Sequence, residues 1–362
     1  DDPEARVAVE GRFAYGGRPT SEVGNVVVDP DSFQPAGRSA ATTTRLQMSN
    51  ALLVGAKRSA TGKPLFVAGP QVGHYYPGIL MELDLDGGGF KARGAAVPGA
   101  SFFNVVGRGV DFAWSLTSAG SDLIDEYVET LCGGSDDKYL FRGECRDMTT
   151  FDAGVIKGRP GQPDEQLVFR QTVHGPVLGY ATVGGQRVAI TRKRSTRGRE
   201  LLATLFFLDL NTSTVRSARD FVRSAAQFEL TFNALYADNR DIAQFTSGRL
   251  PLRPATVAPG LPTKGTGEHE WTGFAGASAH AQVVNPRNGL ILNWNNKPAR
   301  GYAGADHEWT WGSVQRVDLL WDAIQRRQKH TLGSAVGAMN GAATQDIRVM
   351  RLWPLLKETL SR

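Results

Sequence analysis

Ser49-Asn50-Ala51-Leu52-Leu53-Val54, the turn residues Ala60-Thr61-Gly62-Lys63, and then Leu65-Phe66-Val67-Ala68-Gly69-Pro70-Gln71 form the stretch that decides the fold. Two apolar runs flank a glycine-bearing turn, which is the pattern of a β-hairpin. Upstream, residues 1–48 are polar and punctuated by glycine, proline and Thr42-Thr43-Thr44, and only Val26-Val27-Val28 reads as a strand. That texture predicts an arm or linker. Downstream, strands are expected at 102–106, 167–170, 188–191, 204–208, 231–237 and 290–294. Helical periodicity is confined to 122–131, 218–228 behind a Ser217 cap, 314–328 and 347–360. In 314–328, Val314, Val317, Leu320, Trp321 and Ile324 share one face. Strands follow strands with few intervening helices, so an α+β fold is preferred to a doubly wound parallel sheet. Residues 257–273, with four glycines and two prolines, read as a long loop of the kind that often carries function.

Composition bounds the function. With 41% hydrophobic and 21% charged residues among 362, the chain can bury a sizeable core, and its 42 glycines favour a turn-rich β architecture. Net charge is +5, but the basic residues are scattered. The densest run, Arg192 to Arg199, has no interleaved aromatics, so it reads as a solvated turn and nucleic acid is not an expected partner. No run of about eighteen apolar residues is present to span a membrane. Cys132 and Cys145 are either a hairpin staple formed in an oxidising compartment or two free thiols, and their spacing matches no zinc pattern.

The usual catalytic grammars are missing: there is no Gly-x-Ser-x-Gly elbow, no His-Glu-x-x-His and no Walker loop. His174, alone at an apolar strand end, reads as a core histidine rather than a base. What the chain carries instead is a series of small polar motifs. Ser49-Asn50 precedes a strand, Gly69-Pro70-Gln71 ends the next with Gln71 22 residues after Ser49, and Asn293-Trp294-Asn295-Asn296 lies far downstream. Trp114 with Thr117-Ser118-Ala119-Gly120, Gln171-Thr172-Val173-His174-Gly175-Pro176, Tyr236-Ala237-Asp238, Gly265-Thr266-Gly267 with Trp271, and Trp311-Gly312 with Arg316-Val317 complete the series. From about Thr43 to Leu356 this order and spacing resembles the penicillin acylase family of N-terminal-nucleophile hydrolases.

The resemblance implies a four-layer αββα sandwich and an amidohydrolase that forms an acyl-enzyme on Ser49. A serine hydroxyl needs a base. In this family the base is the serine's own α-amine, freed by autoproteolysis, and an α-amine with a pKa of about 7.7–8.0 can serve near neutral pH without a histidine. By resemblance the Gln71 backbone holds that amine, the Ser118 N–H and the Asn295 side chain form the oxyanion hole, and Arg316 orients Asn295. The acyl pocket would be walled by Val72, Val106 and Leu116, wider and more aliphatic than in aryl-selective members. Candidate substrates are β-lactam side-chain amides, acyl-homoserine lactones and lipopeptide acyl amides. Calcium is implied on Asp122, Ile124, Asp125, Pro259 and Asp306, in keeping with that ion's preference for oxygen; the competing reading makes the acids first-turn helix residues. No organic cofactor is implied.

Residues 1–48 would be the end of an α segment or linker, and 49–362 the N-terminal part of a β subunit. The partners implied are a small-molecule amide and the upstream segment of the same precursor, in a secreted or periplasmic setting. Ser49 is still joined to Met48 in this sequence, so either that bond is cut in the mature protein or this is an unprocessed or engineered form. A rival reading is a non-catalytic relative that only binds acylated ligands.

Overall fold

Met48–Val54 is the central strand of a three-stranded antiparallel sheet, with Leu65–Gln71 on one side and Leu290–Asn293 on the other. The computed structural model describes residues 3–15, 19–36, 48–71, 76–302, 304 and 315–361. Ala51 to Val54 are apolar at successive positions because both faces of the strand are covered. Ala51 and Leu53 pack with Leu235, Ala237, Ile242 and Ile291. Leu52 and Val54 turn the other way, into a cluster with Val317, Leu320, Ala338 and Met339.

The first of these faces meets a seven-stranded antiparallel sheet. Its order runs from Gln282–Val284 through Ile242–Thr246, Phe232–Asp238, Phe112–Ser118, Val106–Arg108 and Phe90–Ala96 to Met81–Gly87. Its outer face carries helices α1 (Ala203–Asn211) and α2 (Ala218–Ala225). Phe206, Phe207, Leu210 and Phe221 pack there on Phe112, Trp114, Leu116 and Phe245. Helices α3 (Gln315–Gln325) and α4 (Leu332–Ala343) cover the small sheet, and α5 (Ile347–Leu360) follows. The layers are therefore α, β, β, α, the architecture expected from the sequence.

Several local expectations are overturned. Residues 122–131 form no helix; Ile124–Cys132 is a strand between Gln186–Arg194 and Ser135–Phe141 in a separate side sheet. The acids at 125 and 129 mimicked helical spacing, but they mark the buried side of a strand whose alternation is period two. Residues 204–208 lie in α1, where Ala203, Phe206, Phe207 and Leu210 bury one helical face, so packing overrides the β-favouring composition. Of 102–106 only Val106 is in a strand. Val26 and Val28 are not a strand but pack onto the side sheet. The arm is instead tied down by Arg12–Tyr15, parallel to Arg300–Tyr302, and by Gln34–Pro35 beside Val177–Val183. Arg192 to Arg194 end a strand rather than forming a turn. Cys132 and Cys145 are bonded to each other, which removes the free-thiol reading. Among the described residues no helix is long and apolar enough to cross a membrane.

The side sheet buries an ionic cluster around His174. Its Nδ1 lies 2.8 Å from Glu129 Oε1 and its Nε2 2.6 Å from Glu270 Oε1, with the ring stacked on Tyr127 at 3.9 Å. Glu129 Oε1 also accepts from the hydroxyls of Thr172 and Thr191 at 2.6 and 2.8 Å. Burial alone lowers an imidazole pKa, but the bonds to Glu129 and Glu270 outweigh it and the His174 pKa is raised. Burial works to raise Glu270, yet His174 and Lys193 hold it down to about 2.

These shifts act on stability in opposite directions. The raised His174 stabilises the fold fully below the unfolded value near 6.5, and that contribution is lost as pH rises through its folded pKa. The depressed Glu270 contributes above 4.5 and loses its contribution as pH falls toward about 2. Urea unfolding from pH 6.5 upward should therefore show stability falling by up to about 1.4 kcal/mol per pH unit. In His174→Gln that slope should flatten; an unchanged slope would show that His174 does not carry the linkage.

Candidate active site

Ser49 is the second residue of the central strand and is 7% exposed. Its neighbour across the hairpin is Pro70, while Gln71 lies opposite Met48, against the Met48–Ser49 peptide bond. On the other side, ladder pairing ends at Ala51 opposite Asn293. Beyond it the chain turns through Asn295, whose φ is +59°, a left-handed conformation that asparagine tolerates well among non-glycine residues. The Asn295 side chain then takes over where the ladder stops. Ser49 N–H donates to Asn295 Oδ1 at 2.8 Å, and Asn295 Nδ2 donates to the Ser118 carbonyl at 3.0 Å.

A buried polar network holds that corner. Asn293 Oδ1 accepts from Asn295 N–H at 3.1 Å and from the Thr117 hydroxyl at 2.7 Å. Asn233 Nδ2 donates to Thr117 Oγ1 at 3.0 Å, and Asn233 Oδ1 accepts from the Thr246 hydroxyl at 2.8 Å. Buried amides and hydroxyls satisfied in this way fix one geometry, because any rearrangement leaves a desolvated group unpaired. Asn233 and Thr246 escaped the sequence reading; the available signal was polar residues inside otherwise apolar strand runs. Arg316 lies in the first turn of α3, half-buried, and burial lowers its pKa. The next residue, Val317, shares a core with Trp294, so α3 packs on the element that leads into Asn295.

A cavity of about 520 Å³ opens between the small sheet and the large one, lined by Phe66, Ala68, Met81, Val106, Ala113 and Ser115 among others. Gly94 and Gly107, paired on neighbouring antiparallel strands, permit their close approach in its wall: a Cβ on Gly94 would stand 2.0 Å from the Val106 carbonyl oxygen. Val106 lines this cavity. Leu116 does not. Strand alternation turns it into the core beneath α1 and α2, and its neighbour Ser115 faces the space between the sheets instead. The Ser115 hydroxyl is buried and has no hydrogen-bond partner among the described residues. Val72 lies outside the described residues.

The residues expected to hold calcium are partly dispersed. Asp122 and Asp125 are together, but Arg253 bridges them: Nε lies 2.9 and 2.8 Å from the Asp125 oxygens, and Nη2 lies 2.8 Å from Asp122 Oδ1. Burial pushes the Asp122 carboxyl up to about 7 against the pull of Arg253. The Trp271 indole N–H also donates to Asp125. Ile124 is a ladder residue opposite Arg194. Pro259 belongs to a loop fastened by Asn25, which accepts from Ala258 N–H at 2.8 Å and donates to the Leu261 carbonyl at 3.0 Å. The Tyr15 hydroxyl lies 3.1 Å from the Asp122 carbonyl oxygen and 2.9 Å from that of Pro251. Asp306 is outside the described residues. Calcium takes six to eight oxygens. Of the described residues in this set, only Asp122 has a carboxylate oxygen without a partner, Oδ2, and it stands beside a guanidinium, so they do not by themselves fit the ion. Among them, no cluster of three His, Cys, Asp or Glu residues is set to hold a metal.

Comparison with known proteins bears on the fold. The family model described as penicillin amidase matches residues 8–361. Penicillin G acylase of Escherichia coli is 28% identical over 318 residues, covering 86% of this chain and 36% of that protein. The acyl-homoserine lactone acylase QuiP of Pseudomonas aeruginosa is 26% identical over 307 residues, covering 80% of this chain and 35% of that protein. Among solved structures, a thermostable penicillin G acylase from Alcaligenes faecalis superposes with a TM-score of 0.77 at 29% identity, covering 87% of this chain and 56% of that one. The chain therefore spans about a third of the length of these curated relatives.

Proposed function

The chain belongs to the penicillin amidase family, and from that premise we propose that it carries the nucleophile of an N-terminal serine acylase that cleaves linear N-acyl amides. The observation that carries this reading is the setting of Ser49. It lies at the start of the central strand, its nitrogen is held 2.8 Å from Asn295 Oδ1, and Gln71 stands opposite Met48. Cleavage of the Met48–Ser49 bond turns that nitrogen into a free amine beside its own hydroxyl. Near neutral pH the amine takes the hydroxyl proton as Ser49 Oγ attacks the substrate carbonyl, and passes it to the departing amine. Water then hydrolyses the ester.

Asn295 Nδ2 has two hydrogens, and among the described residues only one is used, on the Ser118 carbonyl. The other, with the Ser118 backbone N–H, receives the developing oxyanion. The substrate class is an acyl amide of the β-lactam, homoserine-lactone or lipopeptide kind, with the acyl chain in the cavity between the sheets. The upstream segment of the same precursor is the expected macromolecular partner. The Cys132–Cys145 disulfide favours an oxidising, secreted or periplasmic setting.

Intact-mass analysis combined with an acylase assay tests the reading. The parent protein should yield a species beginning at Ser49, and Ser49→Ala should remain uncut and inactive. Amide hydrolysis that persists in Ser49→Ala would sink the assignment.

A further inference from the structure

We propose that Asn233 is a positioning residue of the acylase reaction: through a closed ring of four buried side chains it sets the backbone and the side chain of Asn295 together. The role rests on the acylase reading and deepens it. Asn295 needs such support because it lies beyond the last ladder pair, Asn293 with Ala51, in a left-handed conformation.

Strand phase builds the ring. Thr117, Asn233 and Thr246 stand opposite one another on three adjacent strands. Gln244 precedes Thr246 by two residues and so shares its face. Further along the same strands Leu235, Ala237 and Ile242 pack toward the small sheet, so the polar residues form the end of an apolar layer. Asn233 Nδ2 donates to Thr117 Oγ1 at 3.0 Å, and the Thr117 hydroxyl donates to Asn293 Oδ1 at 2.7 Å. Asn293 Nδ2 donates to Gln244 Oε1 and Gln244 Nε2 to Asn233 Oδ1, both at 3.4 Å, which closes the ring. None of the four residues is more than 1% exposed, so bulk water cannot stand in for a lost bond.

One backbone group dictates the direction of these bonds. Asn295 N–H can only donate, so the Asn293 atom 3.1 Å away is the side-chain oxygen. That oxygen only accepts, so Thr117 gives it its single hydrogen and must itself accept from Asn233. Asn233 therefore turns its nitrogen to Thr117 and its oxygen to the Thr246 hydroxyl at 2.8 Å. The same nitrogen donates to the Ser118 carbonyl at 3.3 Å, the oxygen that also accepts from Asn295 Nδ2 at 3.0 Å. Asn233 thus reaches Asn295 twice, at its backbone through Thr117 and Asn293 and at its side chain through the shared carbonyl. Without Asn233, Thr117 and the Ser118 carbonyl each lose a donor in a buried site, and the arrangement that aims Asn295 is no longer the one satisfied geometry.

The test measures kcat and KM of the processed protein with phenylacetyl and octanoyl para-nitroanilides and octanoyl-homoserine lactone, normalised to the fraction cleaved before Ser49. Asn233→Leu and Thr117→Val should each lower kcat roughly 10–100-fold with KM within about twofold. Thr117→Ser, which keeps the hydroxyl, should recover most of that loss. In an Asn295→Ala background both changes should cost no more than about twofold, because they act through Asn295. A role confined to folding would lower the unfolding temperature, leave kcat per cleaved molecule unchanged and multiply fully with Asn295→Ala. Those results, or an Asn295→Ala protein as fast as the parent, overturn the proposal while the acylase reading stands. If Asn233→Leu does not fold, the two Thr117 variants decide. If the cleaved parent hydrolyses none of the three substrates, the acylase reading fails, and the hold on Asn295 is judged in the uncut chain by hydrogen exchange. Faster exchange of the Asn295 and Ser49 amides in both variants, with those of Ala51 to Val54 unchanged, supports it; equal rates overturn it.

Discussion

Replacing Asn295 with alanine should lower kcat of the processed protein by about 10²–10³-fold with little change in KM, a loss of roughly 3–4 kcal/mol of transition-state stabilisation. The side chain works at both ends: Oδ1 accepts from the Ser49 nitrogen and Nδ2 donates to the Ser118 carbonyl, with one hydrogen left over among the described residues. That spare hydrogen gains most when negative charge develops on the substrate oxygen, so its removal should appear in kcat rather than in substrate binding. Asn295→Asp separates the two ends. It keeps an acceptor for the Ser49 amine but has no donor and adds a charge that repels the oxyanion, so it should be at least as slow as alanine. Intact mass must be read alongside the rates, so that a failure to cleave Met48–Ser49 is not scored as slow turnover. An Asn295→Ala protein that is fully cleaved and retains its kcat would remove Asn295 from the oxyanion role.

How much of this was legible in the sequence depends on what each residue's signal reports. The hairpin carrying Ser49 and Gln71 was readable because both apolar runs and the turn between them are local. The polar motifs were readable because each is a short run of adjacent residues. Helix α4 was missed: Gly333, Gly337 and Gly341 break up an apolar stripe that is only Ala335, Ala338, Met339 and Ala342 wide, although Thr331 and Ser334 form a full capping box. The strand Ile124–Cys132 was misread because Asp125 and Glu129 sit four apart; their partners, Arg253 and His174, come from distant segments that no local pattern reports. The same limit applies to the pocket. Deciding between Leu116 and Ser115 needs the phase of one strand, and a shift of one residue exchanges core for cavity.

Arg253 is where such a distant partnership should weigh most on stability. Its guanidinium is 5% exposed and faces two carboxylates exposed by 0% and 3%, those of Asp122 and Asp125. Its remaining nitrogen reaches the Tyr15 hydroxyl at 3.1 Å, so a single side chain ties the arm and the side sheet to the segment that follows strand Pro251–Leu252. Arg253→Leu leaves two desolvated carboxylates with no cation, and losing one partner of a buried ionic group typically costs about 3–5 kcal/mol. Arg253→Lys keeps the charge but not the planar fork that reaches both acids and the tyrosine, so its loss should be intermediate. Arg93 supplies the contrast. It pairs with Glu82 at the surface, both partners more than half exposed, and Arg93→Ala should shift stability by no more than about 1 kcal/mol. Urea unfolding of the three variants at one pH, read at constant m, measures the differences directly. An Arg253→Leu protein within about 1 kcal/mol of the parent would mean that the two acids find other compensation when the guanidinium is gone. The bridge would then be a consequence of the fold around Asp122 and Asp125, not something that holds it.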